Sequence, residues 1–148
     1  MRARSASISV SVKSKVLDYA QLTKMRLAWL VVLSALTGYF FALDMAYINW
    51  VQIFILILGG FMVTGSSNAF NQIIEKDLDK LMNRTSDRPL PDGRMEVNEA
   101  FWVASILGVF GVALLWIGLN PLSGILGLLA LFLYVAIYTP LKRVGPIA

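Results

Sequence analysis

The chain alternates long uncharged stretches with short, densely charged ones. No Asp, Glu, Lys or Arg occurs in residues 27–43, 45–74 or 100–141. A helix needs about 20 predominantly apolar residues to cross a hydrocarbon core. The third stretch is too long for one crossing and carries Asn120-Pro121, a turn signal, near its middle. Divided there, the pattern predicts four membrane-spanning helices over 27–43, 50–70, 100–119 and 122–139. The breaks at 45–49 and 120–121 are short, so each pair should form an antiparallel hairpin. The expected fold class is all-α, a polytopic transmembrane helical bundle.

Composition strengthens this reading. The 148 residues are 57% hydrophobic and only 15% charged, too few charges to cover a soluble surface. The thirteen basic residues fall into three groups. Arg2, Arg4, Lys13, Lys15, Lys24 and Arg26 precede the first span. Lys76, Lys80, Arg84, Arg88 and Arg94 lie in the central loop, and Lys142 and Arg143 follow the last span. Four crossings put all three groups on one side, and positive residues mark the cytoplasmic face. Both termini and the loop are therefore expected inside, in a bacterial inner membrane or, in a eukaryote, the mitochondrial one. The pI near 9.6 follows from the same bias and calls for no nucleic-acid partner.

The absence of Cys and His removes thiolate chemistry, His metal ligands and a His general base. Residues 1–23 are basic and Ser-rich with a single acid, Asp18, and lack the apolar core of a signal peptide. They read as a cytoplasmic tail resting on anionic lipid, or as an organelle transit peptide.

Chemistry concentrates where the second apolar stretch turns polar, in "GGFMVTGSSNAFNQIIEKDLDK". At 100° per residue, Thr64, Asn68, Asn71, Glu75 and Asp79 fall within about 80° of one another if the helix runs past the membrane edge. Asp77 falls on another face. Asn71 lies roughly 30 Å of helix beyond Trp50, so the carboxylates would stand at the cytoplasmic mouth of the bundle. Two carboxylates one turn apart suit a hard cation such as Mg²⁺, which keeps waters and substrate phosphates in its shell. Arg84 and Arg88 downstream offer guanidinium groups to a phosphate. Against this stands the ordinary reading of a solvated charged loop, and of Asn68 as a helix-packing residue. Polar groups inside a span, however, usually face a partner or a cavity.

The letters add more than the spacing. "NQIIEKDLDKLMNRTSDRPLPDGR" resembles the first acid-rich motif, Asn-x3-Asp-x3-Asp, of the UbiA-type intramembrane prenyltransferases. Its continuation through Arg-Thr, Arg-Pro-Leu-Pro and Gly-Arg is similar to the protohaem IX farnesyltransferase (haem O synthase) branch. "QLTKMRLAWLVVLSALTGYF" and "YTPLKR" resemble that family's first-helix start and fourth-helix end. Two positions depart from the pattern: Glu75 stands where Asp is usual, and Met25 where Pro is usual.

The resemblance implies that Asn71, Glu75 and Asp79 hold Mg²⁺ and the diphosphate of farnesyl diphosphate. Lys24, Asn68, Arg84, Arg88, Tyr138, Lys142 and Arg143 become candidates for binding that diphosphate. It further implies ionisation to an allylic cation, with a vinyl group of protohaem IX as acceptor. Asp77 would have a supporting or surface role. The family fold has nine transmembrane helices and a second acid-rich motif, and neither a fifth span nor that motif occurs here. Residues 24–148, with 71–99 as catalytic loop, are therefore expected to be the N-terminal half of the domain, truncated and inactive without the missing C-terminal half. Two alternatives stay open at this point. One is a sister enzyme acting on an aromatic acceptor such as 4-hydroxybenzoate; the other is a non-catalytic membrane interaction protein.

Overall fold

The structure, a computed structural model, describes the backbone of residues 2–43 and 47–145 and the side chains of residues 11–43 and 47–145. The described residues form helices α1 (Arg2–Leu22), α2 (Met25–Ala42), α3 (Trp50–Lys80), α4 (Val97–Gly118) and α5 (Pro121–Phe132). A π-helical turn (Leu133–Tyr138) leads on into α6 (Thr139–Val144). Four segments are long and apolar enough to span a membrane: Met25–Ala42, Trp50–Lys80, Val97–Gly118 and Pro121–Val144. The all-helical bundle and its four spans are thus as the hydropathy pattern predicts. The basic side chains of Arg2 and Arg4, and residues 45–46 of the first hairpin connection, lie outside the described residues.

Local sequence accounts for where the helices begin. The Asn49 side chain accepts from the Val51 and Gln52 amides, satisfying N–H groups at the start of α3 that have no partner within the helix. Asn120 does the same for Ser123 at 2.8 Å, and Pro121 supplies the fixed φ of a first helical residue. α3 extends ten residues past the span expected at 50–70, so the connection to α4 shortens from 71–99 to 81–96. Residues 2–22, expected as a tail, are helical, with Asp18 and Leu22 buried against the bundle.

α3 is the central helix. In its most apolar window 44% of residues are buried, against 11% in α2 and in Pro121–Val144. Much of what it buries is polar: Ser66, Ser67, Asn68, Asn71, Gln72, Glu75 and Asp79. Its N-terminal half does the reverse and exposes Trp50, Val51 and Phe54. In lipid, apolar side chains gain little by leaving the hydrocarbon, so close helix contact depends on small residues and interhelical hydrogen bonds. Gly111 of α4 shows the first device: a Cβ there would lie 2.9 Å from both Met62 Cβ and the Val63 backbone nitrogen. Ser66 shows the second, its hydroxyl donating to the Ala104 carbonyl at 2.7 Å.

An apolar cleft of about 680 Å³ opens between α3, α4 and α5, lined among others by Phe70, Gly108, Trp116 and Leu131. None of the charged residues singled out by the sequence lines it.

Candidate functional site

Asn71, Glu75 and Asp79 come together as the helical spacing requires, one turn apart on a buried face of α3, with Glu75 6% and Asp79 4% exposed. Asp77 is exposed, as its position on the wheel demands. Continuation of α3 past the apolar stretch makes the stripe possible, since a loop from residue 71 would have scattered it. Thr85 holds the end of that helix by donating its hydroxyl to the Asp79 carbonyl at 2.9 Å.

Three cations from three other parts of the chain converge on the stripe. Lys24, at the start of α2, donates to Asn71 Oδ1 at 3.3 Å. Arg88, from the 81–96 connection, donates to Asp79 Oδ2 at 2.7 Å. Lys142, from α6, donates to Glu75 Oε1 at 3.2 Å. Arg143 donates to the carbonyl of Ile74, next to Glu75. These contacts tie the α1–α2 junction, the central connection and the end of the last span to one end of the bundle.

Lys142 reaches Glu75 through the π turn. That turn inserts one residue into the helical spiral, closing i→i+5 hydrogen bonds such as Thr139 N–H to Tyr134 O. Downstream residues are thereby rotated about 100° from their α-helical positions. Thr139 becomes fully buried and accepts from Asn71 Nδ2 at 3.2 Å, while its own hydroxyl donates to the Tyr134 carbonyl. Hydrogen bonds on both amide atoms thus fix the Asn71 orientation. Thr139 was not singled out by the sequence, since one Thr at the end of an apolar run gives no signal.

Not every sequence candidate joins this cluster. Asn68 is buried, but its amide nitrogen donates to the Thr23 carbonyl at 3.0 Å. Arg84 is exposed and makes no ion pair among the described residues. Tyr138 is about half-exposed and stacks on Tyr134 with ring centroids 5.2 Å apart.

The electrostatics favour an anion. Three cations face two carboxylates, leaving an excess positive charge in a partly buried recess. Burial pushes the Lys24 ammonium down from its ordinary pKa, and Arg88 and Lys142 push the same way, while Glu75 and Asp79 oppose them. A negatively charged ligand would relieve that strain.

A second polar cluster lies on α1. Arg94 pairs with Asp18 at 2.6 Å and with Asp92 at 2.7 Å, and also donates to the Asp87 carbonyl. Glu99 accepts from Tyr19 at 2.6 Å and from Lys15 at 3.0 Å. This clasp joins α1 to the C-terminal part of the connection that carries Arg88 and to the first turn of α4. The hydrogen bond from Tyr19 and the ion pair with Lys15 exist only because residues 2–22 are helical, which the sequence did not suggest.

The donor set can be tested against a metal. Each carboxylate gives one oxygen to a cation (Glu75 Oε1, Asp79 Oδ2) and retains the other. With Asn71 the donors are all oxygen, as Mg²⁺ requires. Among the described residues no three His, Cys, Asp or Glu side chains gather into a metal-binding group. The set therefore fits an ion that completes its shell with water and phosphate oxygens, and does not fit an all-protein cage.

Comparison with known proteins gives this arrangement a context. Residues 31–148 match the UbiA prenyltransferase family. A protoheme IX farnesyltransferase of Christiangramia forsetii is 48% identical over 131 residues, covering 88% of this chain and 43% of the relative. That of Flavobacterium psychrophilum is 45% identical over 134 residues, 90% of this chain and 44% of the relative. That of Renibacterium salmoninarum is 40% identical over 126 residues, 85% and 39%. The chain therefore spans less than half the length of these curated relatives. No solved structure matches it. The chain belongs to the UbiA prenyltransferase family and is an integral membrane protein.

Proposed function

We propose that this UbiA-family chain forms the half of a prenyl-transfer site that grips a prenyl diphosphate, and that the whole reaction places a farnesyl group on protohaem IX. The observation that carries the reading is the convergence of Lys24, Arg88 and Lys142, from three separate segments, on the Asn71–Glu75–Asp79 stripe. The named relatives support the haem acceptor over an aromatic one such as 4-hydroxybenzoate.

Asn71, Glu75 and Asp79 would hold Mg²⁺. When bound, the metal would screen the diphosphate and stabilise the charge that develops on it as it departs. Lys24, Arg88 and Lys142 would then exchange carboxylate and amide oxygens for phosphate oxygens, with Arg143 nearby. As the C1–O bond of farnesyl diphosphate breaks, its electron pair goes to the diphosphate and an allylic cation remains. The terminal carbon of a haem vinyl group bonds to C1. Water adds to the adjoining carbon and loses a proton, giving a hydroxyethylfarnesyl group and free diphosphate. The surrounding apolar bundle limits the water that would otherwise quench the cation.

In this reading the loop end of the bundle is cytoplasmic, in agreement with the positive-inside rule. The cell's inner membrane is the expected location.

A chimaera tests the proposal. The chain replaces the matching 43% of the Christiangramia forsetii protein, and haem O formation is measured in membranes with and without Mg²⁺. Product that requires Mg²⁺ and disappears with Asp79→Asn is the expected result. An assembled chimaera that makes no haem O, or is indifferent to Asp79→Asn, refutes it.

A further inference from the structure

The junction between α1 and α2 is held by side-chain amides of α3, and the residue held there is Lys24. α1 ends at Leu22, and a helix leaves its last carbonyls without partners inside the helix. Gln72, fully buried, spans two of them: its Nε2 donates to the Gln21 and Leu22 carbonyls, each at 2.9 Å. Asn68 takes the next, Thr23, at 3.0 Å. Immediately after these three carbonyls stands Lys24 with φ 49° and ψ 56°. It is the only non-glycine residue with positive φ among the described residues. Lysine adopts that left-handed conformation only where its surroundings hold it there.

We propose that Gln72, with Asn68 beside it, is a positioning residue that pins this strained corner and so aims the Lys24 ammonium at Asn71 and the diphosphate. The inference rests on the diphosphate reading above for what Lys24 meets. Three features support it. Residues 68, 71 and 72 share one turn of α3, so the pin and the amide that receives Lys24 move as one rigid body. The Leu22 carbonyl belongs to a fully buried residue and has no other partner among the described residues. Gln72 Oε1 is buried without a partner among the described residues, so the hydrogen bonds this amide makes there are those of its nitrogen. A left-handed residue between two helices turns the chain sharply. In a relaxed corner the Lys24 side chain would leave from a different direction.

The test uses the full chain in lipid nanodiscs and the variants Gln72→Met, Lys24→Met and their double. Magnesium farnesyl diphosphate affinity is titrated, and the Cα and Cβ chemical shifts of ¹³C-labelled Lys24 report its backbone conformation. Lys24→Met should weaken binding about tenfold, the loss of roughly one charge-assisted contact. Gln72→Met should cost a similar factor and shift Lys24 out of the left-handed signature. The double variant should be no weaker than Lys24→Met alone. Asn68→Leu provides a second route to the same corner if Gln72→Met does not fold. Multiplying losses in the double variant would overturn the proposal, as would an unchanged Lys24 signature in Gln72→Met or Asn68→Leu. If Lys24→Met binds normally, the diphosphate reading fails for Lys24, while the chemical shifts still decide whether Gln72 pins the corner.

Discussion

The two ends of α3 have opposite surfaces. From Trp50 to about Leu58 the helix exposes large apolar side chains, Phe54 and Trp50 among them. From Val63 to Asp79 it buries serine, amide and carboxylate groups and is crossed by Lys24, Arg88 and Lys142. In a water-soluble protein this order would be costly at both ends. In a bilayer the apolar N-terminal end can meet lipid or further apolar helices at little cost, whereas polar groups buried in the bundle need partners. The difference shows which end can carry chemistry: the one where α3 has exchanged apolar packing for a network of paired charges.

The sharpest break in that comparison is Asp79→Asn. It should lower Mg²⁺-dependent farnesyl diphosphate binding by about 100-fold or more, beyond the 10- to 100-fold typical of groups that only orient a metal's ligands. Titration of Mg²⁺ at fixed farnesyl diphosphate measures it, and wild-type affinity would mean the buried stripe is structural. Next in size is Gly111→Leu, which drives a side chain into Met62 and Val63. It should destabilise the bundle by about 1–3 kcal/mol, read by unfolding in mixed micelles. Lys142→Met should weaken diphosphate binding several-fold, roughly 1 kcal/mol, since Lys142 is over half exposed and solvent screens it. Its effect should shrink further in high salt; a 100-fold loss would make Lys142 the equal of the residues proposed to hold Mg²⁺. The smallest effects are expected at Phe54→Leu and Asp77→Asn, both exposed, with stability within about 0.5 kcal/mol of the parent and unchanged binding. A large effect at either would mean that its exposed face meets something essential.

The four spans were legible because hydropathy acts on each segment separately and needs no partner. The stripe was legible because helical periodicity fixes relative angles once the helix is assumed to continue, and the same rule set Asp77 apart. The letters around Glu75, Asp79 and Arg88 pointed to the prenyltransferase family, and the family match over residues 31–148 bears that out. Other features were hidden. Helix α1 has little amphipathic pattern, so its docking through Asp18, Tyr19 and Leu22 could not be read. Asn68 lies on the stripe by angle, yet its amide is taken by Thr23. Arg84 and Arg88 looked equivalent in sequence; only Arg88 reaches a carboxylate.

What the sequence determined by itself is whatever follows from one-dimensional spacing and solvent preference: four membrane crossings, a charged end, and Asn71, Glu75 and Asp79 on one side of one helix. Tertiary structure alone decided which cations meet them: Lys24 and Lys142 reach the stripe across 47 and 67 positions of chain, and Arg88, only 9 positions from Asp79, reaches it through the fold of the connection. It also depends on two backbone irregularities with no clear sequence signature. The left-handed turn at Lys24 and the π turn at Leu133–Tyr138 each redirect a helix, and it is this redirection that brings Lys24 and Lys142 to the stripe.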